Sequence, residues 1–291
     1  MSTTDTFVPR LPLGDWVAVF VEWLTATFKP FFAVVKDVLL GCYDALAAVL
    51  QGPPFLVVAL VLAALAFFAK GWKLGVTALV GFVVIASVDQ WDNAMDTLAL
   101  VLVASAIALL IGIPLGIWAA RNDTVSRVLR PVLDFMQTMP AFVYLIPTVI
   151  IFLTGAVPGI VATVVFALAP GVRFTELGIR QVDREVVEAG HAFGSTPGRI
   201  LRQIQLPLAM PTIMAGVNQV IMLSLSMVVI SGMVGAAGLG RDVVAALQRV
   251  NISLGFEAGL SVVILAIFLD RVTSALSTRS PVAKALAATA V

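Results

Sequence analysis

Few residues in this chain of 291 are of the types that catalyse reactions or bind metals. The chain has one His, His191, and one Cys, Cys42, so it cannot form an internal disulfide or a His/Cys-rich zinc site. A hydrolytic triad would depend on His191 alone. The glycine-rich stretch 235–240 superficially resembles a nucleotide loop, but the phosphate-binding pattern G-x-x-x-x-G-K-[ST] does not occur. The sequence predicts no catalytic, metal or ATPase site in this chain.

The longest polar stretch between apolar runs is 170–207, and its residue types predict two short helices. Asp183 can cap a helix over 184–193, and Gly194 can end it. Thr196 can cap a second helix that has Pro197 at its first position. One narrow face of the first helix carries Val186, Ala189, Gly190 and Phe193. Because that face is small in its middle, a second surface could approach the helix backbone closely.

Two charged or titratable side chains of this predicted helix have modest expected roles. Glu188 lies off the apolar face, four residues after Arg184, a spacing that predicts a weak ion pair. We expect His191 to be solvated or packed at an interface rather than to bind a metal.

The composition of the whole chain indicates the kind of fold in which this segment lies. The chain is 60% hydrophobic and 12% charged, with a mean hydropathy of +1.05, whereas soluble domains are about 25% charged. An all-α polytopic membrane protein is therefore predicted. The net charge of +1 gives no electrostatic reason to expect nucleic-acid binding.

Uncharged runs predict about seven transmembrane helices. The run 142–169 is either one long span or two helices that turn at 155–159. The distribution of arginines decides between these alternatives, because one long span would separate two arginine groups that a hairpin places together. The positive-inside bias then makes their shared side cytoplasmic. The two groups are Arg121, Arg127 and Arg130 before the run, and Arg173, Arg180, Arg184, Arg199 and Arg202 after it. The predicted spans are 55–69, 74–88, 98–120, two within 142–169, 211–234 and 256–269. The N-terminus is then outside and the C-terminus cytoplasmic.

The first 50 residues contain charges that disfavour a span. Lys36, Asp37 and Asp44 interrupt the run 31–50, and each would cost roughly 2.5–3.5 kcal/mol at the centre of a bilayer. We predict amphipathic helices on the membrane surface over 14–50, divided at Pro30. Cys42 is expected to be a small buried hydrophobic residue.

The polar segment resembles a known signature. Glu188-Ala189-Gly190-x-x-x-Gly194, followed after nine residues by Ile204-x-Leu206-Pro207, is similar to the EAA motif of ATP-binding-cassette (ABC) importer permeases. The one departure is Gly190, where the family usually has a second alanine, and the residue stays small. Residues 238–271 further resemble the glycine betaine, proline betaine and choline subfamily.

This resemblance implies a fold, partners and an organisation. It implies a type I importer permease fold with a five-helix core over 97–277, in which 170–207 is the cytoplasmic coupling loop. An extracytoplasmic region, 1–52, and two extra spans, 53–96, would precede the core, and a cytoplasmic tail, 278–291, would follow it. The implied partners are a cytoplasmic ATPase that binds ATP and Mg, an external substrate-binding protein and a second permease copy in the bacterial inner membrane. The loop would form a coupling helix that docks into a groove of the ATPase, with Phe193 and the motif residues as the ATPase-coupling residues.

Two sets of side chains are candidates for lining a translocation pathway. Met214, Asn218, Met222 and Ser226 recur at helical spacing in the sixth span, and either line the pathway or form interhelical hydrogen bonds. Met136, Met139 and Phe142 surround Pro140 and form the second set. Gly112 and Gly116 form a G-x-x-x-G pattern, which serves packing within one subunit or a dimer contact.

The competing function is that of a stand-alone secondary transporter or channel. Ion-coupled transporters usually place carboxylates or broken helices at mid-membrane, and the acidic residues Asp134, Glu257 and Asp270 lie near predicted span ends. This pattern favours energy supplied from outside the chain. The expected substrate class rests on the general similarity to the subfamily.

Overall fold

The computed structural model describes residues 11–278, and all regular elements in that range are helical. Residues 1–10 of the predicted N-terminal region and the predicted tail beyond residue 278 lie outside the described residues. The N-terminal half contains α1 Leu13–Thr27, α2 Lys29–Gln51, α3 Phe55–Lys70, α4 Trp72–Ser87, α5 Trp91–Arg121, α6 Asp123–Thr138 and α7 Ala141–Phe152. The C-terminal half contains α8 Ala156–Arg180, α9 Arg184–Ala192, α10 Pro197–Ile200, α11 Leu206–Ser226, α12 Val228–Met233, α13 Leu239–Arg249 and α14 Ile252–Thr278.

The centre of the fold is the contact between α5 and α8, where small residues let the two backbones approach. A β-carbon placed on Gly116 would lie 2.6 Å from Thr175 Cβ, and one on Gly112 would lie 3.4 Å from Gly171 Cα. The G-x-x-x-G pattern therefore serves packing within the subunit. α11 packs against α8 and also contacts α5, and α14 packs on α11.

All seven predicted spans correspond to helices, but these helices differ in length. Within residues 11–278, four helical stretches are long and apolar enough to cross a membrane alone: α5, α8, the stretch Pro197–Met233 and α14. The other three predicted spans are the shorter helices α3, α4 and α7. The pairs α2–α3 and α6–α7 each pass the same test together, with bends of 102° and 96°.

The ambiguous run 142–169 is two helices, as the distribution of arginines predicted. The break lies at residues 153–155, slightly before the predicted turn, because Pro158 and Gly159 are accommodated in the first turn of α8. Leu153 and Gly155 have φ values of 67° and 128°, and the Gly155 N–H donates to the Val234 carbonyl at 2.9 Å. This bond ties the α7–α8 turn to the segment after α12.

The N-terminal helices divide at Phe28, next to the predicted Pro30. α2 packs on α5 through one buried stripe that consists of Leu39, Tyr43, Ala47 and Leu50. Cys42 is exposed, so the prediction that it is buried was wrong. The reason is its place on the helix: Tyr43 and Leu39 occupy the face that meets α5, and Cys42 points away from it.

The non-helical part of the 170–207 segment is much shorter than the polar stretch suggested. α8 continues through Pro170 to Arg180, and the next helical stretch begins at Pro197 and reaches Met233 with a single turn residue at Met227. Proline inside a helix removes one hydrogen bond, a loss that neighbouring helices in a membrane bundle compensate. Only 181–183 and 193–196 lie outside regular helix around α9.

Candidate functional site

The ends of α9 are fixed by its own sequence. The Asp183 carboxylate accepts a hydrogen bond from the Glu185 N–H at 2.9 Å, as expected of an N-cap. At the other end Gly194 has a φ of +76°, its N–H donates to the His191 carbonyl at 2.9 Å, and the Ser195 N–H donates to the Gly190 carbonyl at 3.1 Å. These two bonds form a Schellman motif. The predicted helix limits are confirmed to within one residue.

The helix after α9 begins at Pro197, as predicted, although the Thr196 side chain makes no capping hydrogen bond. A π-helical segment, Leu201–Gln205, joins α10 to α11, and the Leu206 N–H bonds to the Leu201 carbonyl five residues back. Pro207 follows directly. A proline ring clashes with the carbonyl four residues earlier in an α-helix, so the wider turn accommodates Pro207 without breaking the helix.

One side of α9 is open to the surroundings of the subunit. We call Val186, Ala189 and Phe193 the outer face. Phe193 is 90% exposed and Val186 is 42% exposed, and Ala189 is also exposed. Glu188 is exposed beside this face. A large aromatic side chain left so exposed at the end of a helix is typical of a surface that a partner covers.

The other side of α9 packs on its own chain and corrects the predicted face. Gly190 is buried, and a β-carbon there would lie 2.8 Å from Ile204 Cδ1 and 3.4 Å from Ile200 Cγ1. Gly190 therefore does not belong to a surface for another protein. Its small size lets α9 approach the helix that contains Ile200 and Ile204.

The second half of the motif builds the support for α9. Leu206 packs against a buried cluster of Ile179, Leu201, Ala209 and Ile213, which joins the end of α8 to the start of α11. Ile204, Leu206 and Pro207 are all partly buried. The motif therefore divides into exposed residues, Glu188, Ala189, Phe193 and Gly194, and residues that hold α9 in place, Gly190, Ile204, Leu206 and Pro207.

The expected Arg184–Glu188 ion pair does not form: within residues 11–278 neither side chain takes part in a salt bridge. The Glu188 carboxylate is thus available to a partner. His191 is exposed, and the described residues contain no cluster of His, Cys, Asp and Glu that could hold a metal.

The predicted pathway stripe on α11 is only partly open. Met214, Asn218 and Met222 are half-buried, and Ser226 is exposed, with its hydroxyl donating to the Met222 carbonyl at 3.0 Å. The Asn218 side chain donates to Asp270 Oδ1 at 3.1 Å and accepts from the Thr273 hydroxyl. Asn218 thus joins α11 to α14, which is the interhelical alternative for this residue.

The second pathway set lies where α6 bends into α7. Met136 packs beside Leu133, Ala169 and Val172, and its carbonyl accepts a hydrogen bond from the Tyr144 hydroxyl. Met139 is half-buried. Phe142 is 52% exposed, so it is the most open member of this set.

A buried polar cluster between α6 and α8 was not predicted. Glu176 Oε1 accepts from the Ser126 hydroxyl at 2.6 Å and lies 2.9 Å from Arg180 Nε and 3.4 Å from Arg130 Nη2. Arg180 also reaches Asp123 Oδ1 at 2.8 Å. The Glu176–Arg180 spacing of four residues was a sequence signal for this cluster, but it was hidden by the assignment of these residues to a loop.

A second polar cluster lies at the start of α5, at the opposite end of α5 from α6. Asp96 Oδ1 accepts from the Tyr43 hydroxyl at 3.1 Å and from Gln51 Nε2 at 2.8 Å. Asp242 of α13 accepts from Asn93 Nδ2 at 2.7 Å and from Gln90 Nε2 at 3.1 Å. These bonds fasten α2 and α13 to the same end of α5.

Comparison with protein families identifies the family to which this chain belongs. The sequence profile of the family described as "Binding-protein-dependent transport system inner membrane component" matches residues 112–280, more than half of the chain. The chain belongs to this family. The matched region contains every predicted coupling and pathway residue of this inner membrane component. The chain is therefore a multi-pass membrane protein.

Two curated relatives align over nearly the whole of this inner membrane component. The glycine betaine/carnitine transport permease protein GbuB of Listeria monocytogenes serotype 1/2a (strain 10403S) is 49% identical over 277 residues, covering 94% of this chain and 98% of GbuB. The glycine betaine transport system permease protein OpuAB of Bacillus subtilis (strain 168) is 46% identical over 266 residues, covering 91% and 94%.

A solved structure shares the fold of this inner membrane component. A chain of the MetNI methionine ABC transporter, in an inward-facing conformation, aligns with a TM-score of 0.58 at 23% identity and covers 62% of this chain and 91% of that chain. The likeness shows the type I importer permease fold, and it extends the match beyond sequence to the arrangement of helices.

Proposed function

We propose that this chain is the membrane-spanning permease subunit of an ATP-driven importer for a quaternary-amine osmolyte of the glycine betaine, proline betaine or choline class. Support for the substrate class comes from the two relatives, whose names state glycine betaine transport and which match almost end to end. Support for ATP drive comes from family membership and from α9.

The observation that carries the proposal is the two-sided packing of α9. Its outer face and the unpaired Glu188 are exposed, so a cytoplasmic ATPase can bind them. On the other side, Gly190 allows α9 to pack closely against Ile200 and Ile204. A docked ATPase could then move α9 only together with the helix that it rests on. That helix continues through α11 to Ser226, so movement at the docking surface would extend along the length of a span.

The transport step would be a rigid-body change between outward and inward access. In the proposed assembly two copies of this chain flank the pathway, each with its own α9 on an ATPase subunit that binds ATP and Mg. An external binding protein delivers the substrate. Cation–π recognition of the quaternary amine belongs mainly to that protein, so the permease needs only a weak, passable site of residues such as Met139, Phe142, Met214 and Met222.

The proposed orientation places α9 and the C-terminus in the cytoplasm and the N-terminus outside, in the bacterial inner membrane. In this arrangement region 1–52 lies outside the membrane with α1 and α2 at its surface, 53–96 adds two spans, and 97–277 is the core. The polar clusters of Asp96 and Asp242 are then near the outer surface.

The experiment is uptake by the reconstituted assembly. The complex is purified through a tag on this full chain, placed in liposomes and supplied with its binding protein and radiolabelled glycine betaine. We expect uptake with enclosed ATP and none with enclosed ADP. Uptake driven by a proton or sodium gradient without ATP would contradict the proposal and favour a stand-alone secondary transporter.

A further inference from the structure

We propose that the polar cluster around Glu176 and Arg180 transmits the movement of α9 to α6 and α7. This inference rests on the proposed function, since it concerns how ATP-driven movement spreads within the permease. It names residues outside the coupling motif and outside both predicted pathway sets.

The attachment of α6 to the rest of the subunit is narrow. Along its whole length only Ser126 and Leu133 are buried. Leu133 packs on Ala169 and Val172 of α8, and Ser126 donates its hydroxyl to Glu176 of the same helix at 2.6 Å. In the first half of α6, Ser126 is thus the one fully buried side chain, and its hydroxyl donates to Glu176.

Glu176 is buried at the contact between α6 and α8 rather than exposed at the surface. Its side chain is 9% exposed, and one oxygen, Oε1, receives Ser126 Oγ, Arg180 Nε and Arg130 Nη2 within 3.4 Å. A buried carboxylate with hydrogen bonds and cationic partners on two helices is strongly fixed, because loss of one partner leaves an uncompensated charge.

Arg180 extends the cluster to a third helix. It is the last residue of α8, directly before the short segment that leads into α9. Its guanidinium lies 2.8 Å from Asp123 Oδ1 at the start of α6 and donates to the Ala119 carbonyl in the last turn of α5 at 2.8 Å. The C-terminal end of α8, which leads into α9, is thus bonded to both α5 and α6.

The path from α9 to this cluster consists of two packing contacts and the body of α8 itself. Gly190 rests on Ile204, the helix of Ile204 continues to Ala209, and a β-carbon on Gly178 of α8 would lie 3.1 Å from the Ala209 carbonyl. Glu176 and Arg180 flank Gly178 on the same helix. Beyond them, α6 bends by 96° into α7, where Met136, Met139 and Phe142 lie.

A neighbouring ion pair provides a matched control. Arg173 pairs with Asp134 across the same α6–α8 contact, but these side chains are 41% and 64% exposed. Exposed pairs contribute little to stability, so Arg173→Gln tests whether any α6–α8 ion pair would have the same effect.

The test measures glycine betaine taken up per ATP hydrolysed by the reconstituted assembly. For Glu176→Gln we expect this ratio to fall by about tenfold while ATP hydrolysis persists, for Ser126→Ala a smaller fall, and for Arg173→Gln a change within about twofold. The ratio is insensitive to the amount of folded protein, and Ser126→Ala carries the test if Glu176→Gln does not assemble.

Two results would overturn the inference: a wild-type ratio in both Glu176→Gln and Ser126→Ala, or an equal loss in Arg173→Gln. Failure of the proposed function is distinguishable, because it would appear as absent ATP-driven uptake by the wild-type assembly. Normal coupling in Glu176→Gln with uncoupling by a change at Phe193 would reject this cluster and leave the proposed function standing.

Discussion

Gly190 and Ile204 meet so closely that a β-carbon on Gly190 would lie 2.8 Å from Ile204 Cδ1. The contact joins the two halves of the motif, which are separated along the chain but packed together in space. The contact explains why residue 190 is small: α9 packs closely on the helix that continues into a predicted span. Because of this packing, we expect movement of α9 to displace that helix as well.

The first prediction concerns the size of residue 190. Gly190→Ala asks only the flexible end of Ile204 to shift, at a cost of about 1 kcal/mol, whereas Gly190→Leu overpacks the contact by about 3 kcal/mol. We expect coupled uptake to persist in the alanine variant and to be lost in the leucine variant. Combining Gly190→Leu with Ile204→Ala should restore part of the uptake; no restoration would argue against this contact as the cause.

The second prediction concerns Phe193. Because its side chain is 90% exposed, Phe193→Ala should leave the melting temperature of the isolated permease unchanged. It should weaken binding of the ATPase to the permease by at least about 2 kcal/mol, the range of an interface hot spot. The measurement is the amount of ATPase retained on the tagged permease. Leu247, 80% exposed on α13, is the control: Leu247→Ala should not change retention. Equal retention in wild type and Phe193→Ala would count against docking.

The third prediction concerns the charge of Glu188. Glu188→Lys should uncouple transport from ATP hydrolysis, with uptake falling by about tenfold, because an unpaired carboxylate beside the outer face becomes a cation. Glu185→Lys reverses another exposed charge on α9, and its cost is about 0.3–1 kcal/mol from the helix dipole. The comparison is uptake at matched membrane levels of both variants; similar losses would show that the helix, not the site, is disturbed.

The fourth prediction concerns the end of α9. Gly194 has a φ of +76°, a conformation that costs an ordinary L residue about 1–2 kcal/mol and a β-branched residue more. Gly194→Val should therefore displace Phe193 and abolish coupling, while Gly194→Asn should retain part of it. Gly198→Ala, at a position with open space around it, is the matched control. Wild-type ATP-driven uptake by Gly194→Val would contradict the role of this cap.

The fifth prediction separates packing from pathway lining at Asn218. Its hydrogen bonds to Asp270 and Thr273 predict that Asn218→Ala lowers the melting temperature of the permease, by the equivalent of about 0.6 kcal/mol per membrane hydrogen bond. The KM for glycine betaine should change little. A changed KM with an unchanged melting temperature would instead assign Asn218 to the pathway.

The sequence was sufficient for features that depend on a few adjacent residues. The ends of α9 follow from Asp183 and Gly194, and the start of the next helix follows from Pro197, since caps and prolines act on their own backbone. The break within 142–169 followed from the distribution of arginines, which reports topology rather than local propensity. The structure places it at 153–155 because Leu153 and Gly155, not Pro158, take the unusual backbone angles.

Other features depend on contacts distant in sequence. Helical spacing put Gly190 on the same face as Phe193, but it could not tell which edge of that face meets Ile204. The stretch from residue 170 was assigned to a loop, although α8 continues to Arg180 because its neighbours compensate for the bond that Pro170 cannot make. Once Glu176 was assigned to a loop, its burial against Ser126 could not be foreseen.

The most direct test of the account is photo-crosslinking from position 193. A benzophenone amino acid replaces Phe193 in the full chain within the assembled transporter, and a second variant carries it at Leu247 at the other end of the subunit. We predict an ATP-sensitive crosslink to the ATPase subunit from position 193 and none from position 247. An assembly that transports glycine betaine with ATP but gives no crosslink from position 193 would contradict the claim that α9 is the docking site.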